Sequence, residues 1–434
     1  MIVSQEWARN GLKGTIRVPS DKSLTHRAFL LAAIADSKCN IKHPLLGDDP
    51  RSTLSCLKSL GCEVSIEGNK HVTIHPPKNF VQTDRPLDCG NSGTTARLIC
   101  GLLASRDLKT TLIGDSSLSK RPMKRVQTPL ELMGAKFENE TLPMTIYGSQ
   151  LRGICYESPV SSAQIKSCVL LAGLRAQGNT MVIEPSLSRD HTETMLASLG
   201  VNVTRGFERD GRPFSEIEPK ESIPGFEFSP PADISSAAFF MVASAIVNKS
   251  DILLTEIGVN PTRVGILEIF DQIGIKYSYE NERINLGEPR VDISIQFGVP
   301  DKPFTIEGAL VARLIDEIPI LGILATQLNG TSVIRDAKEL RVKESDRIEQ
   351  IAVGLSKMGA QVETFDDGLA ISGPTPLKGA QIDADGDHRI AMSFAIAGLI
   401  AGGETVINGA ETITTSYPDF IRDLSVLTGM PTTE

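Results

Sequence analysis

Leu196-Ala-Ser-Leu-Gly200-Val-Asn-Val203 reads as the last turn of a helix, a glycine that stops it and the first residues of a strand. The same order recurs around Gly61, Gly134, Gly274 and Gly359, with a shorter copy at Leu427-Thr-Gly429. Each glycine is placed to take the left-handed conformation that closes a helix. Ahead of each lies a second helix built from small apolar residues, at 28–35, 96–104, 169–176, 237–247, 318–326 and 390–401. Short β-branched strands such as 180–183, 252–255 and 331–334 separate the two helices. Six helix–strand–helix–strand units fit a six-fold repeated α/β architecture. An ordinary doubly wound α/β sheet with coincidental glycine caps is the alternative. A Pro-rich joint, Phe228-Ser-Pro-Pro231-Ala-Asp233, falls between the third and fourth units. The chain is expected to divide into one lobe of residues 19–231 and another of 1–18 plus 232–434, with a ligand cleft between them.

The 434 residues are 41% hydrophobic, 22% charged and 5% aromatic, enough for two or three domains with real cores. A net charge of −9 with a single Trp, Trp7, gives neither the positive field nor the stacking surfaces of a general nucleic-acid binder. No apolar run reaches the ~18–20 residues of a membrane span. The first ten residues lack a basic segment followed by an apolar one, so neither signal nor transit peptide is expected. Seven cysteines (Cys39, Cys56, Cys62, Cys89, Cys100, Cys155 and Cys168) include no CxxC pair and read as small core residues in a reducing compartment. The six histidines are scattered, and no metal site is expected.

Four of the small-apolar helices begin in an unusual way. Their starts are Ser20-Asp-Lys22-Ser23-Leu-Thr-His-Arg27, Gly90-Asn91-Ser-Gly93-Thr-Thr-Ala-Arg97, Ser161-Ser162-Ala-Gln164-Ile-Lys166 and Asp385-Gly-Asp-His388-Arg389. The Ser, Asn, Asp and Gly residues are ordinary caps. A cation in the first turns opposes the helix dipole by ~0.3–1 kcal/mol each. Taken singly, each is a solvated basic residue beside a capped helix. Four together point to an anion seated on the exposed N–H groups and the basic side chains. Two more basic runs add to this field: Ser119-Lys120-Arg121-Pro-Met-Lys124-Arg125 and Leu340-Arg341-Val-Lys343-Glu344-Ser-Asp-Arg347. In the second, Lys343 and Arg347 are four apart and are expected as neighbours on one helix face.

Asp316-Glu317 lies within an otherwise nearly all-apolar run, residues 309–326. An unpaired buried carboxylate costs several kcal/mol. Asp316 is therefore paired with a cation across the cleft, used as a base, or a plain helix N-cap ahead of Pro319.

With these residues in view, the chain resembles the 5-enolpyruvylshikimate-3-phosphate synthase family over essentially its whole length. The motifs that carry the resemblance are 21–27, Gly90-Asn91-Ser-Gly93-Thr, Lys120-Arg121-Pro122-Met, 162–167, Ser188-Arg189-Asp190-His191-Thr, Asp316-Glu317, 340–347 and Asp387-His388-Arg389. The resemblance implies two lobes, each of three βαβαββ units, an inside-out α/β barrel. It implies transfer of the enolpyruvyl group of phosphoenolpyruvate to the 5-hydroxyl of shikimate 3-phosphate, with release of phosphate and no metal or organic cofactor. Matched by motif, Lys22, Ser23, Arg27, Ser162, Gln164, Arg189, Asp316 and Lys343 would hold shikimate 3-phosphate. Lys22, Gly93, Arg121, Gln164, Arg347 and Arg389 would hold phosphoenolpyruvate. Asp316, Glu344 and Lys22 are the implied catalytic residues. Asp316 would take the 5-hydroxyl proton, and Glu344 would exchange one with the methylene carbon; the two roles could interchange between half-reactions. A monomer in the cytoplasm, acting on small molecules without nucleic acid or membrane, is the implied setting.

Two features depart from the common bacterial pattern. The stretch Thr414-Thr415-Ser416-Tyr417-Pro418-Asp419 lacks the Lys that precedes the family's C-terminal Phe-Pro-Asp. Ser162-Ala163-Gln164 and Arg189-Asp190-His191-Thr192 resemble the second, often glyphosate-tolerant class, yet Gly93 stands where tolerant members can carry Ala. Inhibition by glyphosate is therefore expected. The nearest rival is the sister transferase acting on UDP-N-acetylglucosamine. Its loop Cys is missing from residues 115–124 here. A non-catalytic anion-binding protein of the same fold is the rival from another class.

Overall fold

The computed structural model describes residues 1–68 and 70–430. Each repeat-stop glycine has the expected positive φ: Gly61 +97°, Gly134 +120°, Gly200 +79°, Gly274 +90°, Gly359 +91° and Gly429 +70°. A strand follows the first five, at Glu63–Glu67, Lys136–Glu138, Val203–Phe207, Tyr277–Asn285 and Gln361–Phe365.

The repeat is a βαβαββ unit. Strand Leu87–Asp88, helix Gly93–Ala104, strand Lys109–Ile113, helix Lys124–Met133 and strands Lys136–Glu138 and Met144–Tyr147 follow one another. The two earlier strands pair in parallel, Met144–Tyr147 pairs antiparallel with Lys109–Ile113, and Lys136–Glu138 lies outermost. The same sheet order is made by Cys155–Glu157, Thr180–Ile183, Pro213–Ile217 and Val203–Phe207. It recurs in Thr305–Ile306, Gly330–Ile334, Gly368–Gly373 and Gln361–Phe365. The other three sheets are completed by distant strands. Glu227–Phe228 runs parallel to Cys39–Lys42, Lys13–Ile16 runs parallel to Asp251–Gly258, and Ile2–Ser4 pairs antiparallel with Glu404–Asn408. Six small sheets thus give the two-lobe, six-repeat α/β fold.

The chain forms two compact units. One contains Met1–Pro19, Pro231–Arg283 and Pro289–Glu434; the second contains Ser20–Pro230 and Ile284–Glu288. Assignment of residues 284–288 to the second unit has local causes. Asn285 Oδ1 accepts from Ser229 N at 2.9 Å, and Glu288 Oε1 lies 2.8 Å from His191 Nδ1.

Each unit has its own apolar core. In the first, helices Ile234–Ile246, Ile318–Ala325 and His388–Gly398 are buried on every face. That explains their composition, because a helix with no solvent side needs no polar stripe. In the second, helices Lys22–Ala32, Gly93–Ala104 and Ala163–Gly173 are buried beyond their first turns. There Gly101 permits a close helix crossing: a Cβ on it would stand 2.2 Å from the carbonyl oxygen of Cys168. Six cysteines are buried as expected, but Cys155 is exposed on a short strand.

Candidate active site

The unusual helix starts are capped as their sequences dictate. Asp21, Ser92, Ser162 and Asp387 accept from the backbone N–H groups of Leu24, Thr95, Ile165 and Arg389. The cations beyond those caps do not all await a ligand. Lys22 Nζ lies 3.1 Å from Asp49 Oδ2. Lys166 is 1% exposed, with Nζ 2.8 Å from Glu184 and 2.9 Å from Glu193, so it belongs to a buried ion cluster. Burial works against its charge, but Glu193 and Glu184 outweigh this and raise its pKa. Lys22 and Lys166 thus each have a carboxylate partner supplied by the chain, and Lys166 is enclosed by its own.

In the Ser20–Pro230 unit, the remaining cations are positioned mainly by neutral groups. Arg27 Nε donates to Thr192 Oγ1 at 2.8 Å, Nη2 to Ser167 Oγ at 2.9 Å and Nη1 to the Ser23 carbonyl at 3.0 Å. Burial moves the Arg27 pKa down to about 10, with Glu193 opposing. It stays charged at neutral pH. Arg121 Nη2 donates to Asn91 Oδ1 at 2.8 Å and to Ser117 Oγ at 3.3 Å. Arg97, absent from the candidate residues, donates from Nη1 to Gln164 Oε1 at 2.6 Å. Gln164 Nε2 in turn reaches Thr94 Oγ1 at 3.1 Å. Gly93 opens the same helix, and a Cβ there would lie 3.2 Å from Arg97 Nη1 and 3.5 Å from Arg121 Nη1. Gly93, Arg97, Arg121 and Gln164 therefore form one cluster. Ser162 caps its helix and its N–H donates to Glu184 Oε1 at 3.0 Å. Arg189 lies two residues before helix His191–Ser198, close enough to Arg27 for its charge to add to the lowering by burial of the Arg27 pKa. Beneath Lys22, His26 is fully buried with Nδ1 2.7 Å from Thr53 Oγ1. Burial pushes its pKa down to about 3.

The second cluster is built within the other unit. Asp316 occupies the joint between helices Ala309–Leu314 and Ile318–Ala325. Its Oδ1 lies 3.3 Å from Arg347 Nη1, 3.8 Å from Arg389 Nε and 3.9 Å from Lys343 Nζ. All three cations come from its own unit. Nor is Asp316 a helix cap, since Glu317 holds that position without a side-chain bond. Arg347 is the hub, only 1% exposed. Its Nε donates to Asp387 Oδ2 at 2.7 Å and its Nη2 to Glu344 Oε2 at 2.8 Å. Burial opposes its charge, yet Asp387, Glu344 and Asp316 raise its pKa. Burial would raise the pKa of Asp387, but Arg347 lowers it on balance.

The expected helix face shared by Lys343 and Arg347 does not exist. Lys338–Val342 is a short 3-10 turn, Lys343 is extended, and the helix Arg347–Lys357 starts after Asp346, whose side chain accepts from Glu349 N. The two cations meet through Asp316 instead. Asp387, whose sequence context shows only a helix cap, joins the cluster by pairing with Arg347, 40 residues away.

This geometry offers cationic groups held by hydroxyls and amides in one unit and a carboxylate pair, Asp316 and Glu344, bridged by one guanidinium in the other. It suits anionic reactants and proton transfer. The family model of EPSP synthase (3-phosphoshikimate 1-carboxyvinyltransferase) matches residues 8–424. A 3-phosphoshikimate 1-carboxyvinyltransferase of Synechocystis sp. is 47% identical over 424 residues, covering 95% of this chain and 93% of that protein. One from Bacillus thuringiensis is 44% identical over 424 residues, covering 96% and 97%. Among solved structures, an EPSP synthase from Acinetobacter baumannii superposes with a TM-score of 0.84 at 41% identity, over 95% of each chain. The enolpyruvyl transferase NikO from Streptomyces tendae shares the fold, with a TM-score of 0.77 at 16% identity, over 98% and 96%.

Proposed function

The chain belongs to the EPSP synthase family, and from that premise we propose how its residues divide the reaction. The protein transfers the carboxyvinyl group of phosphoenolpyruvate to the 5-hydroxyl of shikimate 3-phosphate, a step of the shikimate pathway to aromatic amino acids. The observation that carries this is the 47% identity across 95% of the chain.

In the proposed mechanism, Lys22, Ser23, Arg27, Ser162, Gln164 and Arg189 hold shikimate 3-phosphate, with Asp316 and Lys343 at its reacting side. Lys22, Gly93, Arg121, Gln164, Arg347 and Arg389 hold phosphoenolpyruvate. Asp316 takes the 5-hydroxyl proton as that oxygen attacks C2 of phosphoenolpyruvate, while Glu344 gives a proton to C3. The resulting tetrahedral ketal then loses phosphate as its C2–O bond to phosphate breaks, C3 returns a proton to Glu344 and Asp316 passes its proton to the departing phosphate. Charged side chains already fixed by hydrogen bonds need little reorganisation as negative charge shifts. The bonds from Arg347 to both carboxylates support this assignment because one group sets their spacing.

Family membership supports the further proposals of a cytoplasmic monomer that needs no metal or organic cofactor. We also propose that glyphosate inhibits it despite the second-class motifs. Gly93 supports this, since a methyl there would press on Arg97 and Arg121. Gly93→Ala is expected to raise the glyphosate concentration for half inhibition at least ~10-fold, the scale of one modest steric clash. Full wild-type rate at millimolar glyphosate, with phosphoenolpyruvate near KM, would refute sensitivity. The reaction itself is tested by phosphate release without added metal. Release is expected only with both substrates, and release that instead requires UDP-N-acetylglucosamine would contradict it.

A further inference from the structure

Next to Asp316 stands a carboxylate that the mechanism above does not use. Glu317 is 0% exposed, in a joint between two largely apolar helices. Its backbone makes that joint: its N–H donates to the Leu314 carbonyl at 2.9 Å, and its own carbonyl accepts from Leu321 N at 3.0 Å. Its side chain leaves the Asp316 cluster and accepts a hydrogen bond from the hydroxyl of Ser235. Ser235 Oγ accepts from Arg263 Nη2 at 2.8 Å, and the same nitrogen reaches Asp233 Oδ1 at 2.9 Å. Asp233 caps helix Ile234–Ile246 and its N–H donates to the Pro19 carbonyl at 2.8 Å.

An apolar side chain of similar size would fill this interior position without the desolvation penalty of a carboxylate. What a carboxylate adds is direction. An apolar contact can slide, whereas a charge-assisted hydrogen bond to a fixed hydroxyl specifies where the joint stands. The residue whose place depends most on that joint is Asp316, whose Oδ1 must meet three cations at 3.3–3.9 Å.

We infer that Glu317 is a positioning residue for the transfer reaction: anchored on Ser235, and through it on Arg263 and Asp233, it holds the Asp316 carboxylate in place. This rests on the reading of Asp316 as the base. Glu317→Gln keeps the volume and the acceptor oxygen, Glu317→Ala removes both, and Ser235→Ala removes the donor with minimal change in shape.

The experiment measures kcat for phosphate release and, separately, equilibrium binding of shikimate 3-phosphate to each full-length variant, with Asp316→Asn as reference. Glu317→Ala and Ser235→Ala are expected to lose ~10–100-fold in kcat, the scale of a misplacement near 1 Å. Shikimate 3-phosphate affinity should stay within about 3-fold, and Glu317→Gln should recover most of the rate. Should Glu317→Ala fail to fold, Ser235→Ala decides. A folded Ser235→Ala variant with wild-type kcat, beside an inactive Asp316→Asn, overturns this inference alone. Wild-type kcat in Asp316→Asn would overturn the base assignment and this inference with it.

Discussion

Arg27 and Arg347 are both buried arginines near the start of a helix, but their partners differ in kind. Arg27 is held by Thr192, Ser167 and the Ser23 carbonyl, none of them charged. Arg347 is held by Asp387, Asp316 and Glu344. The neighbours of each repeat the contrast: Arg97 and Arg121 rest on Gln164, Asn91 and Ser117, while Lys343 and Arg389 face Asp316. A cation fixed by neutral dipoles keeps its charge available to an anion. A cation balanced by carboxylates instead fixes where those carboxylates stand. One unit thus fixes its arginines mainly with neutral groups, and the other uses its cations to fix carboxylates.

The largest effect should come from Asp387→Ala. It leaves Arg347 buried beside fewer acids than it needs, and loss of one partner from a buried pair costs about 3–5 kcal/mol. Urea denaturation would show the lowered midpoint, and an unchanged midpoint would mean that Arg347 does not depend on Asp387. The counterpart on the binding side is Arg27→Ala. Losing a charge-assisted contact is worth ~1.5–3 kcal/mol, so shikimate 3-phosphate affinity should fall about 10–100-fold. Unchanged affinity would place Arg27 in the fold alone and blur the contrast.

A smaller effect separates the regions by pH. His26 has a folded pKa lowered from 6.5 to about 3, so the unfolded chain takes up its proton first on acidification. Its contribution is present above pH 6.5 and is lost as pH falls toward 3. Between pH 7 and 5.5 this amounts to about 1.2 kcal/mol. His26→Asn should flatten the stability–pH slope there, and an identical slope would show that His26 does not titrate on unfolding.

Much of this was legible in the sequence because it was local. Gly200 and its counterparts stop helices by their own backbone freedom, and three helices of the first unit lack a polar stripe because they have no solvent side. What escaped was long-range. Strand Glu227–Phe228 has two residues and gains its meaning only beside Cys39–Lys42. Lys166 looked like a ligand for an external anion because Glu184 and Glu193 are 18 and 27 positions away. Arg97 had a basic-start signal but no visible link to Gln164, 67 residues on. The mistaken helix through Lys343 was avoidable: Asp346 with Glu349 three residues later is a capping signature, and the helix starts there.

The most direct test of the division between binding and chemistry is a paired measurement on Asp316→Ala: phosphate release at saturating substrates and equilibrium binding of shikimate 3-phosphate. Removal of a general base is expected to slow release by ~10²–10⁴ while affinity stays within about 10-fold, because the groups proposed to hold most of shikimate 3-phosphate, Lys22, Ser23, Arg27, Ser162, Gln164 and Arg189, are untouched. Release near the wild-type rate, or affinity that collapses along with it, would contradict the account.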